Sequence, residues 1–566
     1  MSIEDEFGIQ IKFPSGGVNR RNPFIGDKMW TCYDALNVWL DDPTREQERG
    51  GSRPGITSVS TSGSGGNRVR AISNVGWKVG EVNKRGLIWV IGQSIKLMEG
   101  TNTFTLGMDI KDHGRTTITE LNQKAYIAKN NSGQIIEYDP ATNTGGPLIV
   151  GTNDDGDPKG EVPENCNIVC TWRGRLVAAD GDDPTEIFFS RVGKPDDWDY
   201  SRTDSAAAVK LSASFAGIMA QPVRALIPNT DNCMIIGCDQ QIWVLRGDPK
   251  TGGTVENLSD DIGILDSKSW CKTPDASLVI MSHDGVYWMP PGCGSPFSSV
   301  SREVLPKELQ GIDRQNYAVS MCYDQPSRMI FLFTSLENRT SSSVAPDGAS
   351  AMKLAPETTG SIPQAGGELI TNHFAIDIRQ EQHGDVTHPR SASFWPMDFA
   401  SGSEPFACHA RYVEGGKPHA VMGTRGGKIV AMEWGNEVDD SVDYESYLVI
   451  GPLQNQSMTN QMLKRIEVTL GKDSNPVQID IFRCEESEDI DEFDLDNPPW
   501  KATCSHAIRN FKKEVRLSGR CFYIIIRSID KRLWALEKMV VVFSHLGRSR
   551  KHRDATITST GPDPIP

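Results

Sequence analysis

The densest group of residues able to do chemistry is a run of carboxylates in the last fifth of the chain. Eight of the twelve residues from 485 to 496 are acidic: Glu485, Glu486, Glu488, Asp489, Asp491, Glu492, Asp494 and Asp496. A calcium loop needs a fixed order of ligands and a glycine at its sharp turn, and this run has no glycine. The run therefore predicts a hairpin tip. A solvated tip, a loop docking on a basic partner and a cation site all stay open.

A second charged group follows near the C-terminus. Four basic residues stand there, and Thr, Ser, Gly and Pro follow them: Arg548, Arg550, Lys551 and Arg553. Such a composition predicts a flexible tail unless a partner orders it. The acidic run and this basic group are therefore the candidate partner-interface residues.

Common catalytic motifs are missing from the sequence. It contains no phosphate-binding Gly-Lys-Ser/Thr loop, no Gly-x-Ser-x-Gly elbow and no His-Glu-x-x-His, and its ten histidines lack metal-ligand spacing. The stretch Ser282–Trp288 resembles the Asp-box of sialidase propellers, with one residue fewer between Asp and Gly. That box is a turn device in those proteins. We therefore predict no catalytic, cofactor-binding or metal-binding residue, no cofactor and no enzyme.

The elements that must position these groups are β-hairpins. Two apolar-alternating runs joined by a short polar tip recur at Leu87–Met98, Cys233–Leu245, Leu278–Met289 and Ala420–Met432. Hairpins that recur about every 40–60 residues indicate a radial β array. We predict an all-β chain: a β-propeller-like body, with Trp243 and Trp288 as blade-core aromatics, then a C-terminal antiparallel β-sandwich or barrel.

Changes in composition and in the pattern of predicted strands along the chain set the predicted domain boundaries. These are an extended N-terminal leader over 1–55, a propeller-like domain over 56–436 with a long insertion near 334–364, a sandwich over 437–547 containing the acidic run, and a tail over 548–566. The insertion is rich in Ser, Gly, Pro and Ala and has no periodicity, which indicates a surface loop or arm.

Composition narrows the partners and the compartment. The 566 residues carry a net charge of −15, so the chain is not suited to grip nucleic acid through counterion release. No run of eighteen apolar residues predicts a membrane span, and the acidic N-terminus predicts no secretory signal. Several of the twelve cysteines, such as Cys233, Cys322 and Cys408, lie in apolar runs. This favours reduced buried thiols from a reducing cytoplasm, with a disulfide or a metal site left open.

Three segments resemble the tail hub, or tail nozzle, proteins of short-tailed bacteriophages (podoviruses). In that family an Asn-containing strand precedes a polar stretch and a Pro-Gly-Ile or Pro-Gly-Val sequence, and later a Gly-Ile and Cys-Lys-Thr-Pro run precedes a strand ending in Ser-His. The matching segments are Leu36–Leu40 with Arg49–Ile56, Asp183–Ser190 with Pro195–Asp199, and Ile262–Ile264 with Trp270–Pro274, Val279–Ser282 and 295–304. The resemblance covers roughly residues 30–310. The sequence departs from the pattern at 334–364 and at 485–496.

The resemblance implies a structural virion protein made in the bacterial cytoplasm, whose propeller-like body has six, or possibly seven, blades. Its expected partners are five further copies in a homo-hexamer, the head-to-tail adaptor and portal proteins, tail fibres or tailspikes, a tail plug or needle, and genomic DNA that passes without specific binding. An acidic conduit wall is compatible with that passage. A propeller enzyme acting on glycans and a host-receptor-binding propeller stay open as alternatives.

Overall fold

The computed structural model describes most of the chain, namely residues 6–19, 31–43, 49–60, 67–107, 115–128, 133–152, 158–214, 216–294, 296–302, 304–305, 309–310, 312, 314, 317–336, 373–378, 392–400, 403–414, 417–454, 460–485, 497–505 and 510–545. These residues contain no α-helix. They form strands and two short 3-10 turns, Leu211–Ala213 and Pro249–Thr251. No helix in this part is long and apolar enough to cross a membrane. The all-β prediction is confirmed.

Five short strands precede the first blade. They are β1 (Glu6–Ile11), β2 (Asp34–Leu36), β3 (Val38–Trp39), β4 (Gly51–Ser52) and β5 (Ile56–Ser60).

Six four-stranded antiparallel sheets and the start of a seventh follow in chain order. They are blade 1, β6 (Val69–Val79), β7 (Val82–Ile91), β8 (Ser94–Glu99) and β9 (Asn102–Gly107); blade 2, β10 (Ile118–Leu121), β11 (Lys124–Ile127), β12 (Ile136–Asp139) and β13 (Thr144–Pro147); blade 3, β14 (Ile168–Trp172), β15 (Arg175–Ala179), β16 (Ile187–Phe189) and β17 (Val209–Lys210); blade 4, β18 (Val223–Thr230), β19 (Cys233–Cys238), β20 (Ile242–Arg246) and β21 (Thr254–Ser259); blade 5, β22 (Trp270–Lys272), β23 (Leu278–Ser282), β24 (Gly285–Met289) and β25 (Ser298–Ser299); blade 6, β26 (Tyr317–Asp324), β27 (Met329–Leu336), β28 (His373–Asp377) and β29 (Ser393–Met397); and blade 7, β30 (Pro405–Glu414), β31 (Lys417–Thr424) and β32 (Ile429–Met432).

The N-terminal strand β5 completes blade 7 and closes the ring. It pairs antiparallel with β32, so that Ile56 lies opposite Met432. The first strand of blade 7 in turn contacts the first strand of blade 1. The propeller therefore has seven blades, the larger of the two predicted numbers. Two short strands, β33 (Val438–Asp439) and β34 (Val442–Asp443), extend the sheet of blade 7 beyond β5.

Two further sheets form the C-terminal sandwich. Its chain-order strands are β35 (Tyr447–Leu453), β36 (Gln461–Leu470), β37 (Val477–Cys484), β38 (Trp500–Cys504), β39 (Asn510–Gly519), β40 (Cys521–Ser528) and β41 (Leu536–His545). One sheet has the order β1-β41-β36-β39 and the other β2-β35-β40-β37-β38. The predicted sandwich is confirmed, but each sheet also takes a strand from the first 36 residues, which the sequence had suggested as an extended leader.

One apolar core joins the sandwich to the propeller. Trp39 of β3, Trp395 of β29 and Trp534 belong to the same buried cluster, which runs from blades 5–7 into both sheets of the sandwich. The outermost strand of blade 6 is buried along its whole length. The sandwich and the N-terminal strands therefore cover that side of the propeller.

Two predictions need correction here. The insertion near 334–364 begins later than expected, because Thr334 and Leu336 are still part of β27; residues 337–364 lie outside the described residues. Cys233 is not a free thiol: it forms a disulfide with Cys293, 60 residues away, which joins blade 4 to blade 5. The other ten cysteines are free and buried. Burial raises the pKa of the Cys170 thiol to about 12, as expected for an inert structural cysteine.

Replacing a tryptophan should destabilise the protein more in the core than at the margin of a blade. We expect Trp395→Ala to lower the free energy of unfolding by about 3–5 kcal/mol, because a fully buried indole leaves a large cavity. Trp243→Ala should cost clearly less, since Trp243 is only half-buried and packs at the edge of its cluster; Trp288 is likewise half-buried. Urea unfolding of both variants measures the difference. Equal losses would contradict this assignment.

Candidate functional site

All seven blades present equivalent loops on one face of the propeller. Neighbouring strands in a blade are antiparallel, so the start of the first strand and the end of the second lie on the same side. We call this side the upper face. Ligand sites are typically concave, and the loops of the upper face converge around the propeller axis. The mouth of the central channel is therefore the candidate location of a functional site.

Charged groups from opposite blades meet across this mouth. Arg115, just before blade 2, places Nε 2.8 Å from Oδ2 of Asp266, just before blade 5. It also donates a hydrogen bond to the backbone oxygen of Arg314, just before blade 6, at 2.8 Å. Lys268 of blade 5 donates to the backbone oxygen of Arg70 in blade 1. These pairs of blades are not neighbours in a ring of seven, so the contacts span the central hole.

Asp180 is a buried carboxylate at the centre of the same network. It follows the second strand of blade 3 and accepts a hydrogen bond from Nδ2 of Asn167 at 3.0 Å. Arg224 of blade 4 lies 3.4 Å from it and Arg314 lies 3.8 Å from it. Burial raises the pKa of Asp180 above its usual value, while Asn167 and Arg224 oppose the rise. The three blades are thus tied together through one acidic side chain.

β-Bulges explain how two arginines come to stand at the mouth. The strand register shifts at Arg224 in β18 and at Arg70 in β6. A bulge interrupts the alternation of side chains and re-aims the extra one. In blade 4 the result is that Arg224 reaches Asp180 and also pairs with Asp239, which accepts from Nη2 at 3.0 Å.

The mouth network holds the blades together and leaves its acids paired. Asp266 is paired with Arg115, and Asp239 with Arg224, so neither carboxylate is placed as a free general base. Across the described ranges, no group of three or more His, Cys, Asp and Glu side chains could hold a metal ion. The contacts between opposite blades cross the hole and so close it to a polymer.

A second polar cluster, the Arg53 junction, joins the N-terminal strands, the propeller and the sandwich. Arg53 is fully buried and pairs with Asp439 through both terminal nitrogens, with Nη1 2.8 Å from Oδ1. Its Nε donates to Oδ1 of Asn37 at 2.8 Å, and Nη2 donates to the backbone oxygen of Asp398 at 2.7 Å. The ring centre of Tyr444 lies 4.1 Å from the guanidinium carbon.

The surroundings of Arg53 stabilise the charged form of its guanidinium group. Burial by itself lowers the pKa of Arg53, but the charge and hydrogen bonds of Asp439 outweigh it and the net shift is upward. Asn37 adopts a left-handed backbone with φ of 53°, which asparagine tolerates better than most residues. A side chain at Gly55 would place its Cβ 2.1 Å from the backbone oxygen of Val438. Backbone conformation and close packing therefore restrict which residue types fit at these two positions.

A third cluster of buried polar groups lies between blades 6 and 7. His373 packs edge-on against Phe333 and Phe399 at 5.7 and 5.6 Å, and neither ring nitrogen has a hydrogen-bond partner. Oε1 of Glu404 lies 3.9 Å from Nε2, and Arg425 lies 3.3 Å from the other carboxylate oxygen. Burial lowers the pKa of His373 to about 3, and Arg425 and Arg53 add to the effect. The imidazole is therefore neutral.

Most of the predicted interface residues lie outside the described part of the chain. Glu485, the first acid of the run, is exposed and lies 3.4 Å from Arg520 in an ion pair. The other seven acids and the four basic residues of the tail, Arg548, Arg550, Lys551 and Arg553, are outside the described residues. Their role as an interface stays a prediction.

Sequence reasoning did not find the three clusters that the structure brings together. Most mouth residues stand just before a first strand or just after a second strand, as Arg115 and Asp180 do, and Arg224 is the second residue of a first strand. This recurring position relative to the strands was the signal that could have found the mouth residues, once the blades had been aligned. Arg53 lay inside a segment singled out by resemblance, but nothing in the sequence paired it with Asp439.

Comparison with known proteins supports no family assignment. No protein-family model matches the sequence, and no curated protein matches it. Among solved structures, the extracellular domain of the putative hybrid two component system BT3049 from B. thetaiotaomicron is similar with a TM-score of 0.38 and 12% identity, covering 75% of this chain and 47% of that one. This chain thus spans less than half of that protein.

Two smaller proteins are similar over a shorter part of the chain. A gluconolactonase from Xanthomonas campestris gives a TM-score of 0.28 and 11% identity, covering 54% of this chain and 95% of that one. Kluyveromyces lactis Hsv2 gives 0.29 and 11%, covering 58% and 98%. At these TM-scores the similarities carry no inference about activity or partners.

Proposed function

We propose that the chain is a non-catalytic structural protein of a virus particle: the tail hub, or nozzle, of a short-tailed bacteriophage. The observation that carries the proposal is the Arg53 junction. Asn37, Arg53 and Gly55 come from the segment that resembles the hub family. Asn37 follows β2 of the sandwich and bonds Arg53, which pairs with Asp439 in the sheet of blade 7, and Gly55 packs against Val438 of that sheet. A segment that joins two domains suits a protein with a structural role.

The central mouth supports the same proposal. A propeller enzyme needs an open concave site with a free acid or base, whereas the mouth is crossed by ion pairs such as Arg115 with Asp266. A hole closed in this way cannot pass DNA through a single propeller. In the proposed hexamer the conduit therefore lies between the copies, and their head-to-tail contacts close the ring.

The charge of the chain suits a conduit. A net charge of −15 gives each copy an acidic surface, and phosphates passing such a surface gain nothing from counterion release. The proposed contacts are the adaptor and portal above the ring, fibres or tailspikes on its outside, and a plug or needle at its end. The proposed location is the virion tail.

Mass measurement tests the proposal. Light scattering after size-exclusion chromatography should give six times the chain mass for the purified chain, or a portal–adaptor complex that gains six chain masses when the two are mixed. A chain that stays monomeric and joins no ring would contradict the proposal. Hydrolysis of a surface polysaccharide that is lost on removing one carboxylate would favour the enzyme instead, and binding of the isolated chain to host cells would favour a receptor-binding propeller.

The acidic run gives a separate prediction about assembly. We expect replacement of all eight acids from Glu485 to Asp496 by Ser or Asn to leave the subunit folded and to weaken a late assembly step, because a basic partner would lose its counter-charge. The measurement is the yield of complete tails, with circular dichroism as the folding check. A matched control replaces exposed acids elsewhere, namely Glu81, Glu256 and Glu514. Unchanged assembly would mean that the acidic run is only a solvated hairpin tip and docks no partner.

A further inference from the structure

The outermost strand of blade 1, β9, is an edge strand: among the described residues no strand pairs with its outer side. All six of its residues pair with β8 on the inner side, and none of them is charged or a proline. Phe104 stands in its middle and is 37% exposed. Such an edge presents unpaired backbone N–H and C=O groups to any further strand of suitable sequence.

The outer edges of the other blades are protected. The outermost strands of blades 3 and 5 have two residues each, and that of blade 6 is buried. In blade 2 the strand β13 contains two glycines and ends in Pro147, and in blade 4 the strand β21 carries Glu256. Blade 7 is extended beyond β5 by β33 and β34. Short strands, charges, proline and covering are the usual means of blocking an edge, so β9 remains the open edge among the described blades.

A segment of this chain beyond the last described strand suits that edge. Residues 555–560, which lie outside the described residues, have the sequence Ala-Thr-Ile-Thr-Ser-Thr, and a Gly-Pro pair follows them. β-Branched residues favour strands, and Gly-Pro is typical of the turn after one. The composition of this tail predicts flexibility unless a partner orders it. An edge strand can order such a segment by completing its backbone hydrogen bonds.

The alternation of the segment matches that of β9 on both faces. Phe104 and Leu106 lie on one face of β9, and Thr103 and Thr105 lie on the other. In the segment, Ile557 alternates with threonines in the same way. These threonines are Thr556, Thr558 and Thr560. Threonine–threonine pairs and pairs of an aromatic with a β-branched residue both stabilise neighbouring strands, so the two sequences are complementary as a pair.

The direction of the last described strand takes the segment away from its own propeller. The chain enters β41 at the Arg53 junction, where the backbone oxygen of Trp534 accepts from the N–H of Ser52 at 2.9 Å. The strand has ten residues, so it ends at His545, about 30 Å further on. Residues 546–554 span at most roughly 30 Å, a length that is used up in returning alongside β41. This geometry favours the edge strand of another copy as the partner of the segment.

We propose that residues 555–560 of one copy add to β9 of a neighbouring copy as a fifth strand of its blade 1. The added strand pairs with the free backbone groups of β9, and its Ile557 lies on the same face as the exposed ring of Phe104. The contact joins two different surfaces, the tail of one copy and the blade of the next, so it is head-to-tail and can repeat around a ring. The proposal rests on the proposed function only for the number of copies, because the pairing itself needs just one neighbour.

Disulfide crosslinking between two full-length variants tests the pairing. Thr105→Cys places a thiol on β9, and Thr558→Cys places one in the segment; Thr103→Cys replaces Thr105→Cys to allow for the register. Mixed in the presence of oxidised glutathione, one of these two β9 variants and Thr558→Cys should give a crosslinked heterodimer on a non-reducing denaturing gel. Phe104→Cys, on the opposite face of β9, should not crosslink to Thr558→Cys. The wild type should give no crosslink, because its ten free cysteines are buried.

Charged substitutions measure how much the pairing contributes to self-association. Phe104→Lys and Ile557→Lys each place a charge in the proposed strand pair, and each should weaken self-association at least tenfold in sedimentation equilibrium. Two matched controls should associate as the wild type does: Val82→Lys, at another exposed apolar residue of blade 1, and Ile565→Lys, in the same tail but outside the segment. Circular dichroism shows whether each variant is folded.

Each outcome of the crosslinking decides the proposal. Absence of a heterodimer with both Thr103→Cys and Thr105→Cys would overturn it. Crosslinking of Thr105→Cys to itself would overturn it too, because two copies of β9 would then pair with each other. A heterodimer in a protein that never reaches six chain masses would support the pairing and contradict the hexamer. Six chain masses without a heterodimer would support the hexamer and contradict the pairing.

Discussion

Replacing Arg53 by methionine is expected to lower the free energy of unfolding by about 3–5 kcal/mol, one of the two largest effects that we anticipate. The substitution leaves the fully buried carboxylate of Asp439 without its counter-charge. It also removes the donors to Asn37 and to the backbone of Asp398. A buried charge without a partner is costly because the protein interior solvates it poorly.

The surroundings make the expected loss larger than that of a surface ion pair. The guanidinium stacks on Tyr444 at 4.1 Å and lies 4.7 Å from the ring centre of Phe399, so methionine also gives up cation–π contacts. Because the junction connects the propeller to the sandwich, the variant should expose the sandwich to protease at lower denaturant concentration than the wild type.

Two further variants make the test specific. Arg532→Met removes an exposed arginine that pairs with Glu437, and it should leave the free energy of unfolding almost unchanged. Adding Asp439→Leu to Arg53→Met should recover much of the loss, because no buried charge remains. Urea unfolding followed by tryptophan fluorescence measures all three. A single variant Arg53→Met as stable as Arg532→Met would contradict the assignment.

The parts of the fold that could be predicted from the sequence are those with local causes. The hairpin at Asp284 and Gly285 was predicted because a tight turn needs a glycine with positive φ, and Gly285 has φ of 135°. Strand alternation likewise predicted the sandwich, as in β36, where buried and less buried residues alternate over most of the strand. Turn chemistry and alternation act over a few residues, so a single sequence shows them.

The closure of the propeller has no local cause and could not be predicted. β5 pairs with β32, more than 360 residues later, and its composition is that of any short strand. The same is true of β1 and β2, which complete the two sheets of the sandwich. The hairpins therefore did not fix the number of blades, because blade 7 takes its last strand from the other end of the chain.

The candidate sites were hidden for the same reason. Arg115 and Asp266 are 151 positions apart and meet only because blades 2 and 5 face each other across an axis. The acidic run, in contrast, is conspicuous in the sequence but contributes one described residue, Glu485, to an exposed ion pair. Density of charge along the chain is a poor guide to where charges are buried, since burial needs partners from distant segments.

Acid should destabilise the protein through His373, and this is the second large effect that we expect. Its pKa is about 3 in the folded chain and near 6.5 when exposed. Above pH 6.5 the imidazole is neutral in both states and contributes nothing. As the pH falls from 6.5 towards 3, the unfolded chain binds a proton that the folded chain excludes. The free energy of unfolding should therefore drop by about 1.4 kcal/mol per pH unit from this group.

His373→Phe isolates this contribution. Neither ring nitrogen has a hydrogen-bond partner, and the site already holds Phe333 and Phe399, so the variant should match or exceed the stability of the wild type at pH 7. At pH 4.5 it should be more stable by about 3 kcal/mol, because two pH units of proton uptake have been removed. Carboxylates also titrate in this range, but they do so in both proteins and cancel in the difference.

The exposed histidine His283, at the tip of the β23–β24 hairpin, provides the control. His283→Phe should leave the pH dependence of the wild type unchanged, because the side chain is exposed at a hairpin tip and does not enter the core. Urea midpoints measured every half unit from pH 7.5 to 4.5 give the three curves. Parallel curves for the wild type and His373→Phe would mean that the folded chain accepts the proton, with Glu404, whose Oε1 lies 3.9 Å from Nε2, moving closer to form the bond. The pair would then be an ordinary buried ion pair, and the neutral imidazole assigned to the seam between blades 6 and 7 would be wrong.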